Sequence, residues 1–213
     1  MSGAERFYAI LIAALAGTGL LLASRILEGP DKRRRQMFCY YTNLSNLAML
    51  IVHVLLLLPG RSRALLLTPR ARYLTVLCIL VTFVIYFFVL TRFGRHSKKT
   101  SMASLGTRRL GNLFVHYLVP LGVLLEWLTV ADKRGLGLRD ALYWLAIPLA
   151  YLAFLLLRAR SGVIIENTGS LWPYAIMDRE ALGTRKWLRN IVLMLTGFFL
   201  LALLLLGVAA LTR

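Results

Sequence analysis

Residues 188–211 read LRNIVLMLTGFFLLALLLLGVAAL, with a single charge, Arg189, near the start. A run this long and this apolar exceeds the roughly 20 residues that an α-helix needs to cross hydrocarbon. Five runs of the same kind precede it, at residues 7–27, 39–58, 73–91, 113–130 and 141–157, and the last two sit at the short edge of the spanning range. Hydrocarbon offers the backbone no hydrogen-bond partner, so each run is expected to be a helix. A closed barrel would instead need alternating segments of about ten residues. The first run follows only Arg6 and is longer than a signal-peptide core, so it reads as an uncleaved membrane helix. The expected fold is all-α: a polytopic membrane protein, a bundle of six transmembrane helices in one domain over residues 1–213. Pro120 and Pro148 fall inside the fourth and fifth helices and are expected to kink them.

Composition agrees. Of 213 residues, 59% are hydrophobic and 16% charged, whereas a soluble domain has about half and about a quarter. Six crossings consume about 120 residues, which leaves no room for a soluble catalytic domain. Any chemistry must come from helices and short connections, and a cytosolic enzyme, a disordered chain and a disulfide scaffold are set aside. The net charge of +17, from 26 Lys and Arg against 9 Asp and Glu, lies in short clusters between apolar runs. Such clusters bind anionic headgroups and orient the chain; no basic, aromatic surface of domain size suggests nucleic acid. Seventeen of the basic residues flank the connections 28–38, 92–112 and 158–187, against nine elsewhere, so the odd-numbered connections are expected in the cytoplasm. Cys39 and Cys78 are expected to be unbridged.

Polar groups inside apolar helices are expensive and therefore informative. Thr42, Ser45, Asn46, Met49 and His53 recur at helical spacing, so they share one face of the second helix. Two readings stand: a stripe that bonds helices together, or the wall of a site. His116 lies within about a turn of the start of the fourth helix, as Thr42 does in the second, and both helices enter from the same side. At about 1.5 Å per residue the two side chains share a depth. A hydroxyl beside an imidazole can be a nucleophile and its base; the plainer alternative is a histidine bonded to a carbonyl. His53 lies about 15 Å deeper than His116, which argues against one haem or metal held by both. No metal spacing appears elsewhere, and His96 belongs to a basic connection. Glu126, ten residues past His116, reads as an interfacial carboxylate beside Trp127. The connection from Glu166 to Asp178 mixes Gly, Pro and aromatics and is expected to lie at the interface or dip into the mouth of the bundle. Asp178 and Glu166 are candidates to orient the imidazole.

Taken in order, these motifs resemble the androgen-induced protein family of membrane threonine hydrolases, which act on fatty-acid esters of hydroxy fatty acids, and most closely its six-helix prokaryotic relatives. The carrying residues are Tyr41-Thr42-Asn43-Leu44-Ser45-Asn46, then His116 through Pro120, Glu126-Trp127, and Trp172-Pro173-Tyr174 through Asp178. Ala175 stands where the family pattern has a second proline. The resemblance implies a lipid-ester hydrolase of a prokaryotic plasma membrane with no cofactor, Thr42 as nucleophile and His116 as its base. It implies a membrane lipid or fatty-acid ester as substrate. Asn46 is the first candidate for the oxyanion donor, with Asn43, Ser45, Asn112 and Asp178 as further candidates for oxyanion or substrate binding. The competing reading is a non-enzymatic carrier or scaffold. Transporters place their sites near the midplane, often between repeats; Thr42 and His116 lie nearer one interface and no repeat is visible, which favours the enzyme.

Overall fold

The computed structural model describes residues 1–24, 36–90 and 102–212. Residues 28–35 and 92–101 of the expected connections, with His96, fall outside them. Among the described residues the regular structure is all helical, without a strand; one isolated antiparallel bridge joins Ile165 and Ser170. The helices are α1 (Gly3–Ser24), α2 (Tyr41–Leu57), α3 (Arg61–Leu66), α4 (Pro69–Ile85), α5 (Met102–Leu113), α6 (Val119–Thr129), α7 (Leu138–Trp144), α8 (Ala146–Ala159) and α9 (Arg179–Leu211). Two π-helical stretches, Tyr86–Leu90 and Phe114–Leu118, extend α4 and join α5 to α6.

Five continuous or nearly continuous helical stretches are long and apolar enough to cross a membrane: Gly3–Ser24, Pro69–Phe88, Arg109–Thr129, Leu138–Ala159 and Arg179–Leu211. The second expected span differs. Met37–Cys39 forms a separate 3-10 turn and Leu58 is already extended ahead of Pro59, so α2 keeps 17 residues, at the lower limit for a crossing. The outer faces are apolar: Phe7, Ile10 and Leu21 on α1 and Leu193, Leu200 and Leu204 on α9 are exposed.

The sequence explains where helices start and break. Ser2 and Glu5 cap α1 reciprocally, the Glu5 amide donating to Ser2 Oγ at 3.2 Å and the Ser2 nitrogen to Glu5 Oε2 at 2.5 Å. Thr68 caps α4 ahead of Pro69, and Asp178 caps α9. Each internal proline lacks the N–H that would bond four residues back. For Pro148 that orphaned carbonyl is Trp144, and the helix divides there into α7 and α8. For Pro120 it is His116, and the backbone around His116 widens into the π turn, with the Val119 amide reaching Phe114. Gly19 of α1 lies against this turn; a Cβ there would come within 2.9 Å of a Val115 methyl.

The main core gathers Ile12, Met49, Val76, Leu80, Val119 and Val123 from four helices, with Tyr73, Trp127 and Trp144 below. A second cluster, Leu155, Trp172, Met177, Trp187 and Ile191, packs the 160–178 connection onto α8 and α9.

Glu126 requires a correction. It is not an interfacial carboxylate: it is 2% exposed, between Arg72 at 4% and His53 at 0%. Arg72 Nη1 donates to Glu126 Oε1 at 2.5 Å, and His53 Nε2 meets Oε2 at 3.0 Å. His53 Nδ1 bonds the Met49 carbonyl at 2.7 Å, and Glu5 stands 3.9 Å from Arg72. Three charged side chains from three helices, with His53, thus close the end of the bundle opposite Thr42. Depth foreshadows the pair, because His53 lies eleven residues past Thr42 and Glu126 ten past His116.

Candidate functional site

Thr42 occupies the first turn of α2, where the leading backbone N–H groups have no helical acceptor. Around it lies a cavity of about 670 Å³, counting the space at its mouth. Its polar groups are few: Thr42, Thr82 and the hydroxyls of Tyr41, Tyr151 and Tyr174. The rest is apolar, with Leu152 and Pro148 of α8 facing Ile191, Met194, Leu195 and Phe198 of α9. Those α9 residues follow i, i+3, i+4, i+7 spacing, so one face of the helix lines about 10 Å of the cavity's length.

The tyrosines sit at the polar end. The Tyr41 amide donates to Tyr151 Oη at 3.1 Å, and that hydroxyl donates onward to the Cys39 carbonyl at 2.7 Å. Tyr41 Oη donates to the Cys78 carbonyl at 3.0 Å. The Tyr174 hydroxyl turns toward the Thr42 side chain and the amides of Tyr41 and Thr42, while burial pushes its phenol up to about 12. The connection carrying Tyr174 does dip into the bundle. Trp172 and Trp187 pack at 6.3 Å, and Trp187 Nε1 and Asn190 Nδ2 donate to the carbonyls of Met177 and Ile176. Arg158 ties the same segment down through the Leu171 and Val163 carbonyls.

His116 is placed otherwise. Its ring stacks on Tyr86 at 3.9 Å, and Nδ1 contacts the Thr82 carbonyl at 3.4 Å. Thr82 faces the cavity; His116 stands behind it. Among the described residues no hydrogen bond joins the Thr42 hydroxyl to the imidazole. The two helices nevertheless meet at this level through Asn46, whose Nδ2 donates to the Thr42 carbonyl at 2.8 Å and to the Val115 carbonyl at 3.0 Å. Asn46 Oδ1 is buried without a partner.

The other sequence candidates have local partners. Ser45 Oγ donates to the Thr42 carbonyl and Asn43 Nδ2 to that of Met37. Asn112 is exposed and bonds the Tyr86 hydroxyl. Asp178 accepts from Ser170 Oγ at 2.6 Å and from the Ala181 amide, so it caps α9. The Glu166 side chain is exposed and its amide donates to Gln36. Neither carboxylate orients the imidazole. No significant match to the chain was found among protein-family models, curated proteins or solved structures.

Sequence reasoning passed over Tyr151, Thr82 and Tyr86. The usable signal for Tyr151 was a phenol in the middle of an apolar helix, since a buried tyrosine hydroxyl needs a partner. The Thr82 signal was weaker, because a threonine inside a helix usually bonds back to its own backbone, as it does here to Ile79 at 2.7 Å.

Proposed function

We propose that this chain is an integral membrane lipid-ester hydrolase of the threonine type, crossing the bilayer six times with α2 as the shortest span. The odd-numbered connections lie in the cytoplasm on this reading, and the substrate is a fatty-acid ester of a hydroxy fatty acid or a lipid of similar shape. The apolar outer faces of α1 and α9 support the membrane placement. The observation that carries the enzymatic reading is the Thr42 hydroxyl at the polar end of an otherwise apolar cavity. On this reading the acyl chain lies along the apolar face of α9 with its ester carbonyl beside Thr42. The motif resemblance supplies the chemistry: Thr42 attacks the carbonyl, His116 takes its proton, and an acyl-threonine forms that water then hydrolyses. With Nδ1 against the Thr82 carbonyl, Nε2 is the nitrogen left to act as base, and it must reach the Thr42 hydroxyl by a movement of the ring or through one bridging water.

A second reading, a lipid-binding protein without catalysis, draws on the different partners of the hydroxyl and the imidazole. Turnover separates the two. The full chain in lipid nanodiscs, given a branched fatty-acid ester, is expected to release free fatty acid, and both Thr42→Ala and His116→Ala to abolish release while keeping the wild-type melting temperature. Binding of the ester without release by the wild type establishes the second reading.

A further inference from the structure

Resting on the hydrolase reading, we propose that Tyr174 donates the hydrogen bond to the oxyanion formed when Thr42 attacks the ester. The attack makes the Thr42 Oγ–carbon bond, shifts the carbonyl π pair onto oxygen and passes the hydroxyl proton to His116. Collapse restores the carbonyl and breaks the bond to the alcohol oxygen, which leaves with that proton. Water repeats the sequence on the acyl-threonine and frees the acid. In both halves one oxygen carries a full negative charge inside an apolar cavity, where a fixed donor is worth most.

Few donors are available for it. Asn46, the first sequence candidate, spends both amide hydrogens on the carbonyls of Thr42 and Val115. Asn43 donates to Met37, and Asn112 faces Tyr86. The single hydroxyl hydrogen of Tyr151 goes to the Cys39 carbonyl. Tyr174 differs from all of them: it lines the cavity beside Thr42, and its hydrogen is held between the hydroxyls of Thr42 and Tyr151 rather than on a backbone carbonyl, so a bound ester can take it over. It is also firmly mounted. Its ring meets Tyr40 edge-on at 5.8 Å, and the residues after it are held by Trp187 and Asn190. Burial keeps the phenol protonated, and so a donor, across the neutral range.

The test is steady-state kinetics of Tyr174→Phe in the full chain in nanodiscs, with a long-chain p-nitrophenyl ester as probe. The expected result is a kcat lower by roughly 10²- to 10³-fold, with KM and melting temperature near wild type. A kcat close to wild type, or a rise in KM alone, overturns the assignment. If Tyr174→Phe does not fold, difluorotyrosine at position 174 replaces it: the alkaline limb of kcat moves to lower pH if this phenol must stay protonated, and no movement overturns the assignment. Turnover lost in Thr42→Ala but kept in Tyr174→Phe removes this donor and leaves the hydrolase standing. Wild-type turnover no higher than that of Thr42→Ala removes both.

Discussion

Asn46 of α2 donates to the Val115 carbonyl across 3.0 Å, so the turn after Thr42 is pinned to the residue before His116. Held this way, Asn46 is a structural link between the two helices that carry the proposed chemistry. Asn46→Ala removes two hydrogen bonds and strands the Val115 carbonyl, at a cost of about 1–3 kcal/mol. Thermal unfolding in detergent, followed by tryptophan fluorescence, measures this. An unchanged midpoint contradicts it.

At the other end of the bundle, Glu126 is held by Arg72 at 2.5 Å and His53 at 3.0 Å. Removing one partner leaves a charge buried and unpaired, so Arg72→Met or Glu126→Leu is expected to cost about 3–5 kcal/mol. The double variant should be less damaged than the sum of the two. A double-mutant cycle gives the coupling, and strict additivity refutes the pair as drawn.

Gly19 is the point of closest approach between α1 and the π turn. Gly19→Val forces that turn away from α1 and is expected to cost about 1–3 kcal/mol. Turnover is expected to fall with it, because the displaced backbone carries His116. Gly17→Ala has room, its added methyl lying 3.8 Å from the nearest Leu50 atom, and should be close to silent in the same assays.

The cavity predicts a difference between probes of different size. Met194 lines it on α9, and Met194→Trp fills space that the proposed hydrolase gives to an acyl chain. Turnover of long-chain esters should fall at least tenfold while a short-chain ester is hydrolysed at nearly the wild-type rate. Equal losses for both, with folding intact, place the substrate elsewhere.

Tyr174 also gives a pH signature. Its phenol is raised from 10.0 to about 12, so the folded state holds a proton there that the unfolded chain gives up earlier. The associated stability is present below about pH 10 and is lost as pH rises through about 12. Tyr174→Phe should flatten the alkaline fall in melting temperature over that window, and an unaltered profile contradicts the burial described.

Helix positions and depth were legible in the sequence; lateral neighbours were not. Apolar run length located the helices, and the missing N–H of Pro120 and Pro148 foretold where they deform, though not that Pro120 would do so as a π turn at His116. Depth arithmetic set Thr42 level with His116. The same residue count puts His53 level with Glu126, but one sequence does not say which helices adjoin, so Glu126 reads there as interfacial and its partners stay hidden. The polar stripe on α2 likewise left its partners open: Ser45 and Asn46 turn out to bond the Thr42 carbonyl, while Asn46 and His53 cross to other helices, at Val115 and Glu126. Two of the three tyrosines around Thr42, Tyr151 and Tyr174, arrive from α8 and the 160–178 connection, more than 100 residues away in the chain, beyond the reach of any periodicity.

Covalent capture addresses the central claim most directly. The full chain in nanodiscs is treated with a long-chain alkyl fluorophosphonate, digested and mapped by mass spectrometry. The prediction is a single adduct on Thr42, absent from Thr42→Ala and formed far more slowly in His116→Ala. An adduct of equal yield in Thr42→Ala, or one mapped to another side chain, contradicts the assignment of Thr42 as the nucleophile.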